Sequence, residues 1–172
     1  MDLSSIIDFA NQADEEIGKF RIEMILSPEK LSFDAYSVAN LNWKSIKYGD
    51  AEIDQVPSDK RGIYAFSISQ PSQVLPPHGH ILYIGIAGRK SNRSLKARYK
   101  DYLNPQVVIK RSGIAKMIGT WHKVLRFHFA PVEDTMTSDE LEQLEEHLNT
   151  ALLPPFSVGD LEADTKKKRR AF

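Results

Sequence analysis

The chain has no cysteine, which excludes disulfide staples and thiolate zinc sites, fits a reducing compartment, and leaves any metal to oxygen or imidazole ligands. Long apolar runs are missing too. No window approaches the roughly 18 consecutive apolar residues of a membrane span, and the first residues lack the basic, apolar, small-residue order of a signal peptide. These absences predict a cytoplasmic protein with no membrane partner. Net charge is also absent, since 23 basic residues balance 23 acidic ones. That average argues against a partner as negative as DNA, but it conceals a block structure. Between Arg89 and Arg126 eleven Lys or Arg residues stand against one acid, Asp101, whereas residues 127 to 164 hold ten acids and no Lys or Arg. A concentrated positive field is what steers and holds phosphate backbones, so the block outweighs the total.

With 172 residues, 41% of them hydrophobic, the chain suits one domain with decorations. Apolar residues Leu3, Ile6, Ile7, Ala10, Ala13, Ile17, Phe20 and Met24 recur at steps of three and four, which predicts an amphipathic helix over residues 2 to 24, ended by Ser27-Pro28. Its apolar face is expected to pack on the domain or on a second copy, so a homodimer is one expectation. Residues 29 to 60 read as a linking segment in which Trp43 and Ile46 make core contacts.

RGIYAFSIS (61–69) and HILYIGI (80–86) are rich in β-branched and aromatic residues and predict two strands of a hairpin, joined by a proline-rich loop. Ser94 is placed to cap a helix over about 95–103, and SGIAKMIGTW (112–121) suits another. A third strand follows at about 123–132. Thr137 with Glu140 makes a capping box for a helix that stops at Pro154-Pro155. The predicted fold is α+β: a small, mainly antiparallel three-stranded sheet flanked by helices. Its expected parts are an N-terminal helix and linking segment (1–60), a central domain (61–158) and a basic tail (159–172) that carries the run Lys166 to Arg170.

Helical geometry separates the glutamates of the last long helix. At 100° per residue Leu141, Leu144, Leu148 and Leu152 define an apolar face, and Glu145 lies about 60° from its centre, while Glu142 and Glu146 point away. A carboxylate at the border of a core-facing stripe either reaches solvent along the edge or meets a cation. On the 95–103 helix, Leu95, Tyr99, Tyr102 and Leu103 form the inner face and Arg98 flanks it, suited to a structural ion pair or to a bidentate phosphate clamp. Two histidines, His78 and His80, bracket a glycine in the loop, where polarity explains them better than zinc.

Taken together these residues follow a recognisable order. Gly62-Ile63-Tyr64 opens one strand, Tyr83-Ile84-Gly85 closes the next, Leu95-x-x-Arg98-x-x-x-Tyr102 follows on a helix, and Glu145 sits on a later one with Leu148, Pro154, Phe156 and Ser157 behind it. This resembles the GIY-YIG nuclease family, found in homing endonucleases, in some restriction enzymes and in the incision subunit of bacterial nucleotide-excision repair. The resemblance spans roughly residues 62 to 157. It implies an endonuclease that hydrolyses phosphodiester bonds in DNA with one Mg²⁺ or Mn²⁺ ion bound by Glu145.

The resemblance further implies that Tyr64 takes the proton of the attacking water, that Tyr83 and Tyr102 position water and phosphate, and that Arg98 steadies the developing charge. An ordinary tyrosine pKa of about 10 makes Tyr64 a weak base near neutrality, so cations or the metal are expected to favour its phenolate. Gly62, Ile63, Ile84 and Gly85 are structural on this view, the glycines letting backbone approach the site. Arg89, Lys90, Arg93, Lys96 and Lys100 would contact the DNA backbone on either side of the scissile bond. Ser157 stands where the family has Asn, and this shorter side chain motivates the alternative of a catalytically attenuated protein of the same fold that binds nucleic acid.

Overall fold

The computed structural model describes residues 3–25, 41–69, 79–89, 91, 93–157, 159 and 161–169. Lys90, His78, Arg170, Ser27-Pro28 and the proline-rich loop at 70–78 lie outside them. Helix α1 (Ser4–Glu16) comes first and is followed by a 3₁₀ turn over Gly18–Phe20. Strand β1 (Lys44–Lys47) precedes β2 (Gly62–Ser69) and β3 (Gly79–Ala87). Then come α2 (Leu95–Leu103), α3 (Pro105–Val108), α4 (Ser112–Trp121), β4 (Leu125–Pro131), α5 (Ser138–Leu152) and α6 (Ala163–Arg169).

The four strands form one antiparallel sheet in the order β1-β4-β2-β3. Alternation along β2 sorts its side chains by face. Tyr64 and Phe66 join Tyr83, Tyr99, Tyr102, Phe127 and Phe129 in an aromatic core covered by α2 and α4. Ile63 and Ala65 join Ile84, Ile86, Ala130, Val132 and Leu141 in an aliphatic core under α5. The central strand is thus buried on both faces, which accounts for its continuous apolar reading. A bulge between Phe66 and Ser67 shifts the β2–β3 register, so that Phe66 pairs with Tyr83 and Ser67 with Ile81.

The helix signals are realised where the side chains can reach. Ser94 Oγ accepts from Ala97 N at the start of α2, and Thr137 and Glu140 exchange both bonds of the capping box at α5, each cap contributing about 1 kcal/mol. The α+β class therefore holds, but the expected three strands are four. β1 escapes the sequence reading because KSIK is an edge strand only four residues long, and its exposed Lys44 and Lys47 blunt the edge and hide the alternation.

Ile46 of β1 makes the core contact expected of it, buried among the aromatic residues, and β1 joins the sheet from within the expected linking segment. Trp43, expected as a core contact, is 41% exposed. The N-terminal helix is also shorter than the apolar spacing suggests, ending at Glu16, two residues before Gly18, a poor helix former. Within the expected basic tail, α6 is tied back where Arg169 donates to the carbonyls of Ser157 and Pro154 at 2.9 and 3.0 Å. Among the described residues no helix is long and apolar enough to cross a membrane.

Candidate functional site

Strand pairing brings the two sequence triplets together. Tyr64 lies directly opposite Gly85, and Gly62 opposite Ala87. Because Tyr64 and Tyr83 share a face, their rings sit 6.2 Å apart between centroids. The glycine opposite Tyr64 has a steric cause, since a Cβ at Gly85 would lie 2.5 Å from Tyr64 Oη and 2.7 Å from its Cζ. Gly62 serves the sheet rather than the cleft: a Cβ there would fall 2.2 Å from the Ala130 carbonyl oxygen on β4. Ile63 and Ile84 point to the opposite, aliphatic face, as structural residues should.

Around Tyr64 the sequence-predicted residues form a connected network. Its hydroxyl accepts a hydrogen bond from Arg98 Nε at 3.0 Å and shares another with Tyr102 Oη at 2.7 Å. Arg98 also reaches Asp101, one turn on along α2. Arg111, which the sequence shows only as part of the basic block, donates to Tyr83 Oη at 3.2 Å. Its guanidinium lies 5.7 Å from the Tyr83 ring centroid and 5.1 Å from that of Tyr102, within range of cation–π attraction. No spacing rule links residue 111 to the triplets, so only the chain's path across the face of the sheet reveals it.

Tyr64, Tyr83, Arg98 and Glu145 line one cleft of about 240 Å³ together with Arg89 and Arg93. Glu145 is only 5% exposed, so of its two expected placements the solvent-edge one is excluded. Glu142 also serves: it pairs with Arg89 at 2.8 Å, and both line a neighbouring hollow that shares Arg89 and Glu145 with the cleft. Tyr102 and Lys96 do not line the cleft. Tyr102 sits behind Tyr64 as a buried hydrogen-bonding support, and Lys96 pairs with Asp54 at 2.8 Å. Lys100 is exposed on α2, and Arg93 pairs with Asp101. Three of the cations expected on the DNA backbone thus already have acid partners.

Ser157 has a role of its own. Its hydroxyl accepts from Ile84 N at 2.9 Å and donates to Ile84 O at 3.2 Å, while Phe156 N donates to Leu82 O at 3.0 Å. The segment after α5 therefore closes the outer edge of β3 beside the second triplet.

Charge in the cleft is set by burial and by cations together. Burial, reinforced by the neighbouring Tyr102 and Tyr83 and opposed by Arg98, pushes the Tyr64 phenol well above the usual tyrosine range. Burial and Tyr102 raise Tyr83 likewise, against Arg111 and Arg98. Desolvation thus outweighs Arg98 at Tyr64, so the protein's own cations do not by themselves favour its phenolate.

A group whose folded pKa lies above its unfolded value stabilises the fold fully below the unfolded pKa and loses that contribution as pH rises through the window between the two. Stability is accordingly expected to fall above about pH 10, where unfolded tyrosines ionise. Urea melts across that range should show a shallower fall for Tyr83→Phe than for the parent. Equal slopes would show that the buried phenols do not set the alkaline limit.

The donors lining the cleft suit a hard cation. The Glu145 carboxylate, the phenolic oxygens and the Ser91 hydroxyl are all oxygen, and no imidazole lines it among the described residues. Among those residues no group of three or more His, Asp or Glu side chains is placed to hold a metal ion. The lining sets one carboxylate, Glu145, among three arginines, Arg89, Arg93 and Arg98. Set against models of known protein families, against curated proteins and against solved structures, the chain finds no match in any of the three.

Proposed function

We propose that the chain is a GIY-YIG endonuclease that hydrolyses phosphodiester bonds in DNA and requires Mg²⁺ or Mn²⁺. The observation that carries this reading is the convergence on one cleft of Tyr64, Tyr83, Arg98 and Glu145, four residues from two strands and two helices. Hydrolysis needs a positioned water, relief of charge on the phosphate oxygens and help for the departing oxygen. Glu145 would hold the ion, whose contribution when bound is Lewis-acid neutralisation of the phosphate.

Arg98, oriented by Tyr64 and Asp101, steadies charge that develops on the phosphate. Tyr83, oriented by Arg111, directs its hydroxyl to the water or the phosphate. Tyr64 removes the proton of the water through its scarce phenolate form, with Tyr102 as the hydrogen-bonding support behind it. Arg89, Arg93 and Lys100 contact the backbone around the scissile bond, with Arg89 and Arg93 exchanging acid partners for phosphates.

Plasmid DNA incubated with the protein and Mg²⁺ should be nicked, and chelation of the metal should stop the reaction. Absence of nicking with both Mg²⁺ and Mn²⁺ would overturn the reading. If Tyr64 is the base, kcat/KM should rise about tenfold per pH unit between roughly pH 6 and 9. A plateau below neutrality would remove Tyr64 from that role and leave the nuclease reading standing.

A further inference from the structure

A second hollow, of about 260 Å³, shares no lining residue with the cleft. Three parts of the chain build it: the segment after the first 3₁₀ turn, α4, and the stretch from Leu153 to the end of α6. That volume is somewhat under the roughly 300 Å³ at which pockets for drug-sized ligands begin, so it suits one ring system rather than an extended molecule. Three cations, Arg21, Lys116 and Arg169, line it with one acid, Glu23. Arg169 spends both of its terminal nitrogens on the carbonyls of Ser157 and Pro154. Arg21 and Lys116, by contrast, are exposed and pair with no acid among the described residues. They differ in this from Arg89, Arg93 and Lys96, whose acids must first let go. Beside these two cations stands an aromatic wall, where Phe156 meets Trp121 edge-on with centroids 5.8 Å apart. Free cations next to an aromatic wall fit an anion that carries a planar ring, and a nucleotide joins both in one unit.

Helix α4 connects this hollow to the cleft. Arg111, the residue just before it, donates to Tyr83 Oη of the cleft, Lys116 lies halfway along, and Trp121 ends the helix in the hollow. Its ten residues span about 15 Å at 1.5 Å each. Phosphates of one stacked strand follow one another every ~3.4 Å, and further apart when the strand is stretched, so a few nucleotides bridge the two sites. SGIAKMIGTW contains no acid, and nothing on the helix repels a backbone that follows it. A base enters such a hollow only when it is unstacked, which a duplex resists and a single strand allows.

We propose that the hollow between Arg21, Lys116 and Phe156 is a nucleotide subsite that takes one base of a single-stranded flank a few nucleotides from the scissile bond. The inference rests on the nuclease reading and narrows its substrate to DNA with an unpaired stretch beside the cut.

A single-stranded oligothymidylate of about ten nucleotides, within the usual site size of such surfaces, serves as the probe, with metal left out so that nothing is cut. The chain has two tryptophans, so Trp43→Phe leaves Trp121 as the one indole, and its emission should be quenched as the oligonucleotide saturates the protein. Phe156→Ala should weaken binding about tenfold, the loss expected of one base stack. Replacing Arg21 and Lys116 together by Ala should flatten the plot of log affinity against log salt by about 1.4, at roughly 0.7 for each phosphate contact to a single strand. Both side chains are exposed, so the melting temperature of that double variant should hold.

Failure of the oligonucleotide to bind, unchanged Trp121 emission in the complex, or one salt dependence shared by parent and double variant would overturn the proposal. An equal loss of affinity for a blunt duplex would overturn the assignment to a single strand. Cleavage by a protein that fails these binding tests would leave the nuclease reading intact. Binding in the hollow by a protein that cuts nothing would remove the nuclease and keep the subsite.

Discussion

Glu145→Gln is expected to lower the rate of Mg²⁺-dependent nicking by about 10³-fold, with little change in melting temperature or in DNA affinity. Glu145 is the one carboxylate lining the cleft among the described residues, so its amide replacement removes the anionic oxygen that would hold the ion while keeping the size and shape of the side chain. Metal charge neutralisation supplies several kcal/mol of transition-state stabilisation, and about 4 kcal/mol corresponds to that factor. Glu142→Gln serves as the control. It lies on the same helix one turn earlier and pairs with the exposed Arg89, and it should leave the rate within a few-fold of the parent. If the Glu145→Gln variant cuts as fast as the parent, the carboxylate holds no catalytic ion.

Arg98→Ala should reduce kcat by about 10² to 10³, the loss observed when a fixed donor aimed at developing charge is removed, while the Kd for DNA changes only a few-fold. The basis is geometric. Arg98 lines the cleft while its Nε is held by Tyr64 at 3.0 Å, so its position is fixed before substrate arrives. Arg98→Lys should recover little of the activity, because a single ammonium cannot donate to Tyr64 and present a planar fork to a phosphate at once. Single-turnover rates and binding isotherms measured side by side separate the two effects. Equal losses in rate and affinity would make Arg98 an anchor for the substrate.

How much of this is legible in the sequence depends on the kind of signal. α2 and α5 are readable because Ser94 and Thr137 cap their helices through contacts within three residues. The β2–β3 hairpin is readable because its strands are long and apolar. β1 is not, since four residues with lysines at both ends carry too little pattern, and only its pairing with β4 defines it. Glu145 is singled out by its angle on α5, but that angle leaves a solvent-edge placement open until neighbouring elements close over it.

The state of Tyr64 lies beyond the sequence for a related reason. Counting nearby cations along the chain leaves out the desolvation that a fully enclosed phenol undergoes, and here desolvation is the larger effect. Arg111 is invisible as a site residue because its partner, Tyr83, lies 28 positions away.

The amino-acid order by itself determined the class of the fold, the helices with their caps, and the set of side chains able to do chemistry, because each of these follows from contacts within a turn or from the period of the apolar residues. The tertiary structure alone decided that two tyrosines, an arginine and a glutamate share one cleft. It also decided that burial outweighs the nearby cations at those tyrosines, and that α1 is left with apolar residues no part of the sheet covers. Those outcomes depend on which surfaces exclude water from one another, and burial of that kind exists only once distant segments have packed.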